Sequence, residues 1–433
     1  MSNLTRAQAS ACPFSAAAAS WDPWNPDFIK DPWPVLAQIQ AEQPVFYKPE
    51  IGYWVVTKYN DVRKCFLDNK AFSAELAIEP ILPLYPSTIE KFMASGFSDG
   101  PVLVNEQPPR HRSHRTRLQR QFEPAKMRDL QPFILKMVSA YIDRLVKCGR
   151  ADLMKDFIYD IPALVVFKML GIPEEDVPKV KKWAGPAALF SWGRPTEGEQ
   201  NAMADALGEY WAYSKHHVEW KKQNLGDDFV SDAIRGQIED GEEEWPDDYL
   251  VRLMLNFTFA GHETTTNASG NAVMNLLRER QHWEALVSDP SKISMAIDEC
   301  LRVGSSIIAW RRQTLEDIEL SGVVVPAGSK LLIYNGAANR DPEIFDDPQK
   351  INIERPNASK MLSFGFGPHL CLGRPVAKLE MRIMLEELTR RLPHIELDEQ
   401  EFTFSPPNTT ARGPDHVFVH WDPTKNPVAD DRP

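Results

Sequence analysis

Between Pro124 and about Trp220, apolar residues recur at spacings of three and four, the pattern of helices with one buried face. MRDLQPFILKMVSAYIDRLV carries it, and DLMKDFIYDIPALVVFKMLGIPEEDVPKVKKW reads as two helices broken at Gly171–Pro173. The longest helical signal comes next. Pro246-Asp247-Asp248 puts a proline and two carboxylates where a helix start favours them. From there to Arg280 no proline interrupts the chain. Before Gly261 this segment is apolar on most sides, as a helix crossing the middle of a domain should be. Further helices are predicted over Ser291–Val303 and Pro375–Leu392, the second stopped by Pro393.

Alternation with a period of two is confined to short runs. PVFYKPEIGYWVVTKY predicts a hairpin turning at Glu50–Gly52. DIELSGVVVPAGSKLLIYNGAAN predicts short strands with turns at Ser321-Gly322 and Pro326–Gly328. WDPWNPDFIKDPWPVLAQIQ, rich in proline, is expected to be extended. Gly185–Pro195 is expected to be a loop between helices, GQIEDGEEEWPDD a surface turn, and RDPEIFDDPQKINIERPN irregular. The fold class that results is mostly α with small peripheral β-sheets. There is no internal repeat, and no shift in composition divides the chain. Residues 1–20 are expected to be a flexible leader, 21–422 one domain, and 423–433 a polar tail.

Composition narrows the function. With 433 residues, 43% of them apolar, and 12 Trp and 21 Phe, the chain can fill a large core. A net charge of −12 argues against a general nucleic-acid binder. No apolar run reaches the roughly 18–20 residues of a membrane span, and the N-terminus lacks the apolar core of a secretory signal, so the expected address is cytoplasmic. The five cysteines, Cys12, Cys65, Cys148, Cys300 and Cys371, are scattered and form no CxxC, which disfavours a disulfide framework or a zinc cage.

Four constellations carry chemistry. The first is FGFGPHLCLG, Phe364–Gly373, where glycines surround a lone cysteine that feeds a helix N-terminus, a setting that favours a thiolate. Cys371 fits a nucleophile with His369 as base, and equally a haem-iron ligand. The second is FAGHETTTNASG, Phe259–Gly270, inside the long helix. A mid-helix glycine costs about 1 kcal/mol relative to alanine, and three consecutive threonines add crowding, so a site is expected there. HETTT lacks the second histidine of HExxH; Glu263 beside Thr264 suits proton relay instead. The third, Glu299-Cys300-Leu301-Arg302, places acid and base on one helix face, by itself usually a surface pair. The fourth, PPRHRSHRTRLQRQF, sets five arginines and two histidines on a helix in an acidic protein, which suits anion binding.

In this order the four resemble the cytochrome P-450 superfamily. AGHET is similar to its oxygen-activating motif, ExxR to its structural helix and FGFGPHLCLG to its haem-binding loop. The resemblance implies a triangular prism with haem b between the long central helix and the cysteine-loop helix, and a haem-thiolate domain over 21–422. It implies Cys371 as the iron ligand and Glu263 and Thr264 as proton-delivery residues. His111, Arg115, Arg312 and His369 match propionate contacts, with Phe364, Gly365, Gly373 and Ala260 beside the haem. Glu299, Arg302 and Arg355 match a buried network. The apolar Phe190, Trp192, Phe259, Ile307, Ile308 and Trp310 are candidates for the substrate pocket.

The implied activity is insertion of one oxygen atom from O2 into a hydrophobic small molecule. A peroxygenase using hydrogen peroxide, or a non-catalytic haem-thiolate sensor or electron carrier, would be the alternatives. ACPFSAAAASWDP, NTTARGPDHVFVHWDP and KNPVADDRP look like the haem domain of bacterial self-sufficient enzymes. In those, an NAD(P)H-dependent reductase with FMN and a 2Fe-2S cluster follows, so 423–433 is expected to begin a linker, with the reductase domain absent. Arg110, Arg112, Arg117 and Lys378 are expected to present a basic face to an electron donor. A monomer with no nucleic-acid or membrane partner is expected. One departure is Ser306, where the family usually has proline, which leaves the conformation of Gly304–Trp310 open.

Overall fold

The computed structural model describes residues 15–183, 187–239, 245–404 and 407–427. The long helix spans Asp247–Arg278, 32 residues and so about 48 Å. Asp247 and Asp248 stand in its first turn and Arg278 in its last, each complementing the helix dipole. Tyr249, Leu250, Val251, Leu253, Met254 and Leu255 are all buried, so this half is enclosed around most of its circumference. Its N-terminal half belongs to one hydrophobic cluster, with the helices Asp160–Leu170 and Glu197–Lys221. Its C-terminal half belongs to a second, with Pro124–Leu145, Ile293–Val303 and Arg374–Arg391. Leu372, the neighbour of Cys371, packs against both.

A five-stranded sheet lies to one side. Val45–Lys48, Tyr53–Val56, Lys330–Ile333, Trp310–Thr314 and Phe72–Ser73 are adjacent in that order, with Tyr53–Val56 parallel to Lys330–Ile333. On Trp310–Thr314, Arg311 and Arg312 are both buried, on opposite faces of the sheet. Arg311 donates to the carbonyls of Glu79 and Ala77, whereas Arg312 turns toward Phe66, 5.4 Å from its ring centre.

Several expectations change. The Pro-rich N-terminal stretch is helical, over Pro26–Lys30 and Trp33–Glu42, because its prolines sit in first turns, where no N–H is needed. Of the leader expected over 1–20, residues 1–14 lie outside the described residues. Ala16–Ser20 is a capped helical turn with Ala17 and Ala18 buried, so a flexible reading does not hold there. The loop expected over Gly185–Pro195 contains the helix Ala187–Trp192; residues 184–186 lie outside the described residues. Of the acidic surface turn, residues 240–244 are likewise outside them, its first residues end the helix Phe229–Glu239, and Asp247 and Asp248 already begin the long helix. Of the expected linker start, Pro423–Lys425 forms a turn, and 428–433 are outside.

Candidate haem site

The cysteine loop is held against the rest of the molecule by its glycines. Gly365 and Gly367 have φ of 69° and 72°, which only glycine adopts without strain. A Cβ on Gly367 would stand 2.9 Å from Leu67 Cα, so the loop rests directly on the end of the helix Tyr59–Leu67. The Cys371 N–H closes the loop on the Phe364 carbonyl at 2.9 Å. Helix Arg374–Arg391 starts three residues later, and the amides of Gly373 and Arg374 donate to the sulfur. The side chain is walled in by the loop yet exposed on its other side.

Burial pushes the Cys371 thiol up, against the two amides and the charges of Arg115 and Arg374. The two amides and the two guanidinium charges act in the thiolate's favour, as the helix start does.

Four cationic or imidazole groups converge beside the loop. His111 and His369 stack with ring centres 3.8 Å apart, and the Nε2 of each is buried without a hydrogen-bond partner. Burial, with Arg115 next, pulls His111 down to about 4. Burial, with Arg312 next, pulls His369 down to about 2. Arg115 donates to the Leu370 carbonyl at 2.6 Å and Arg312 to the Arg311 carbonyl at 2.9 Å. Among the described residues no carboxylate pairs with either guanidinium. Two orphaned buried imidazole nitrogens and two uncompensated guanidiniums fit a group that brings its own carboxylates. The propionates of haem b are such carboxylates, and Arg115, which donates to the carbonyl of Leu370 beside Cys371, ties this cluster to the cysteine loop.

On the long helix, Thr264 Oγ1 donates back to the Ala260 carbonyl at 2.6 Å. Glu263 is half-buried and lies near Tyr159, whose phenol is raised first by burial and then by Asp160 and Glu263. Tyr159 was not singled out from the sequence; it follows the π-helical turn Met154–Ile158, whose geometry has no legible sequence signal. Gly261 has a reason other than chemistry. A Cβ there would stand 2.3 Å from Val166 Cγ2, so its cost in helix propensity is offset by close packing of Asp160–Leu170. His262 is likewise structural: it is buried and pairs through Nε2 with the Tyr159 carbonyl at 3.1 Å.

The ExxR pair is wholly buried and is no surface ion pair. Arg302 donates to both Glu299 oxygens at 2.7 Å, and Arg355 Nε reaches them at 3.0 and 3.1 Å. The remaining Arg302 donors go to the carbonyls of Asn339, Pro348 and Lys350. The Ser306 segment is also well defined. Ser306 O accepts from the Arg412 N–H at 2.8 Å, and Ile308 N–H donates to Thr410 O at 2.8 Å. A backbone bridge to residues 410–412 thus fixes the loop without the proline.

The pocket candidates divide. Trp192 and Trp310 meet with ring centres 5.5 Å apart, and Ile307 forms a bridge to Ala411. Phe190 and Phe259 flank the cluster around Glu197–Lys221. Ile308 is buried with Trp21, Phe28 and Tyr334, so it is a core residue and is withdrawn from the pocket. Of the basic face, Arg110 pairs with Glu106 at 3.2 Å, Lys378 with Asp298 at 2.7 Å, and Arg117 lies over Trp245 at 3.9 Å. Arg112 is exposed, and with Arg117, Arg120 and Trp245 it lines a depression of about 530 Å³. No helix among the described residues is long and apolar enough to cross a membrane.

A mostly helical body with a lone cysteine under a long central helix, and a cationic rim suited to two carboxylates, defines a haem-thiolate protein. The sequence model described as cytochrome P450 matches residues 55–290 and 292–416, and the chain belongs to that family. It is 32% identical over 384 residues to the vitamin D(3) 25-hydroxylase of Pseudonocardia autotrophica, covering 87% of this chain and 90% of that one. It is similar to an intact type IV self-sufficient cytochrome P450 monooxygenase, with a TM-score of 0.92 and 41% identity. That match covers 96% of this chain, which spans 54% of the longer protein. It also resembles the P450 heme domain of Tepidiphilus thermophilus, with a TM-score of 0.90 and 34% identity over 94% of this chain and 98% of that one. The protein is accordingly a cytochrome P450, an oxidoreductase of a monooxygenase family that carries haem b.

Proposed function

We propose that this chain is the haem domain of a monooxygenase that oxidises a hydrophobic small molecule with O2, fed by an NAD(P)H-dependent reductase bearing FMN and a 2Fe-2S cluster. The observation that carries the oxygen chemistry is the adjacency of Glu263 and Thr264 on the long helix, with Thr264 Oγ1 bonded to the Ala260 carbonyl. When bound through a thiolate, haem supplies oxygen activation, since the sulfur donates electron density that favours O–O cleavage. Cys371 is the ligand, held by the Gly373 and Arg374 amides. His111, His369, Arg115 and Arg312 hold the propionates, with Phe364, Gly365, Gly373 and Ala260 beside the ring. Thr264 holds a proton at Oγ1, and Glu263 replenishes it from the Tyr159 side. Phe190, Trp192, Phe259, Ile307 and Trp310 exclude water and favour an apolar or aromatic substrate.

The fused or separate reductase is supported by the similarity to the intact self-sufficient enzyme, of which this chain spans 54%. Arg112, Arg117 and Arg120 offer it an electropositive surface, and docking should weaken as salt rises. A monomeric haem domain and a cytoplasmic setting complete the reading. Thr264→Ala tests the proton role. It should leave electron uptake intact while product per O2 consumed falls and peroxide release rises; unchanged coupling would remove Thr264 from the path. Peroxide-driven turnover that exceeds reductase-driven turnover would favour the peroxygenase alternative.

A further inference from the structure

Three arginines gather where the long helix ends, and the chain does not balance their charge. Arg340 and Arg412 share the ring of Trp33, at 4.0 and 5.9 Å from its centre. Arg412 also lies 3.6 Å over Phe404. Arg278, in the last turn of the long helix, lies 4.3 Å over Phe402 in the same segment. Arg412 feels the charge of Arg278, and Arg340 feels that of Arg412. Asp31 is the carboxylate whose charge acts on all three, yet among the described residues it forms no salt bridge. Lys30 beside it is already paired with Glu401.

Hydrogen bonding in this cluster is better satisfied than charge. Arg412 donates to the carbonyls of Ile29 and Lys30, and Arg340 to the Val303 carbonyl and the Gln349 side chain. Carbonyls and amides accept donors but bring no net charge. Arg340 Nε is buried with no partner, and Arg278 makes no hydrogen bond or ion pair among the described residues. Burial works against the charged forms, pulling Arg340 down to about 9 and Arg412 to about 10. A buried charge without a countercharge is costly, so the fold alone gives no reason for three. Asp31 cancels one of them and the helix end about half of another. An excess of more than one positive charge remains, and exposed Arg278 opens it to solvent.

We propose that Arg278, Arg340 and Arg412 form a binding site for a phosphate dianion, either free or as the phosphoryl group of a larger molecule. The guanidinium fork matches phosphate oxygens in geometry, and the excess charge suits a dianion better than a monoanion. Arg278 supplies the free donors. Arg412, fixed by the Ile29 and Lys30 carbonyls, supplies a charge that does not move, and Arg340 adds its own beside the Trp33 ring. Asp31 opposes the anion and so sets how tightly it is held. A bound phosphate ties the N-terminal helix Trp33–Glu42 and the segment of Arg412 to the end of the long helix, and so stabilises the fold.

The test titrates the haem-loaded protein with inorganic phosphate in a calorimeter, with chloride holding the ionic strength constant. The wild-type protein should bind one phosphate and melt at a higher temperature than in chloride alone. Arg278→Gln, at an exposed position that leaves the core intact, should weaken binding by about tenfold. Asp31→Asn should strengthen binding severalfold, a change of opposite sign that a damaged fold cannot produce. Phenyl phosphate is the second probe. Tighter binding than inorganic phosphate identifies a phosphorylated molecule as the ligand, equal or weaker binding identifies the free anion, and either supports the site. Absence of phosphate binding, or an affinity that either substitution leaves unchanged, would overturn it.

Discussion

His111 and His369 stack face to face with ring centres 3.8 Å apart and planes at 26°, although one stands on the basic helix and the other in the cysteine loop. Burial first, and the charges of Arg115 and Arg312 next, hold both below the ordinary histidine range. Their buried Nε2 atoms have no hydrogen-bond partner within the chain, which leaves both open to an outside group. His111→Ala should raise the rate of haem loss to a scavenging apoprotein severalfold. The CO-bound band should stay in place, because the iron ligand is untouched. An unchanged rate would separate His111 from the propionates.

His262 gives a pH dependence with a defined sign. It is buried, and burial lowers it to about 4. The unfolded chain takes up a proton near pH 6.5, before the folded protein does. Stability from this residue is therefore complete above about pH 6.5 and is lost as pH falls toward 4, on the order of 3 kcal/mol in total. Urea unfolding of His262→Gln, which retains a donor for the Tyr159 carbonyl, should show a flatter acid limb than wild type. Parallel acid limbs would contradict this.

Gly261 and Val166 should couple. Gly261→Ala drives a methyl group into Val166 and should destabilise the fold by about 1–3 kcal/mol, the usual cost of overpacking. Val166→Ala in the same chain should recover part of that loss. Additive effects in denaturant melts would show that Gly261 is needed for something other than helix packing.

Glu299 is the acceptor shared by two buried arginines. Glu299→Gln leaves Arg302 and Arg355 without a countercharge and should cost about 3–5 kcal/mol, as breaking a buried pair does. Thermal melts and haem content should both fall, and a variant as stable as wild type would mean that carbonyls alone satisfy the arginines.

What the sequence made legible was set by how local each signal is. The Cys371 loop, the long helix and the basic helix are spelled by adjacent residues, and they appear where expected. The ExxR pair was ambiguous because exposure is decided by distant partners: Arg355, Asn339 and Pro348 lie far along the chain. Gly261 looked like a mark of chemistry because Val166, which fills its place, is nearly a hundred residues away. The prolines near Trp33 misled because a proline that breaks a helix interior also starts one. Ile308 stands beside the pocket candidates in sequence but is buried in the same core cluster as Trp21 and Tyr334.

The central claim is that Cys371 is a haem-iron ligand. It is tested most directly by the absorption difference spectrum of the reduced, CO-bound protein beside that of Cys371→Ala. The wild-type protein should give the red-shifted Soret band diagnostic of haem-thiolate ligation, and the variant should lose it. A variant that keeps the thiolate band would contradict the assignment.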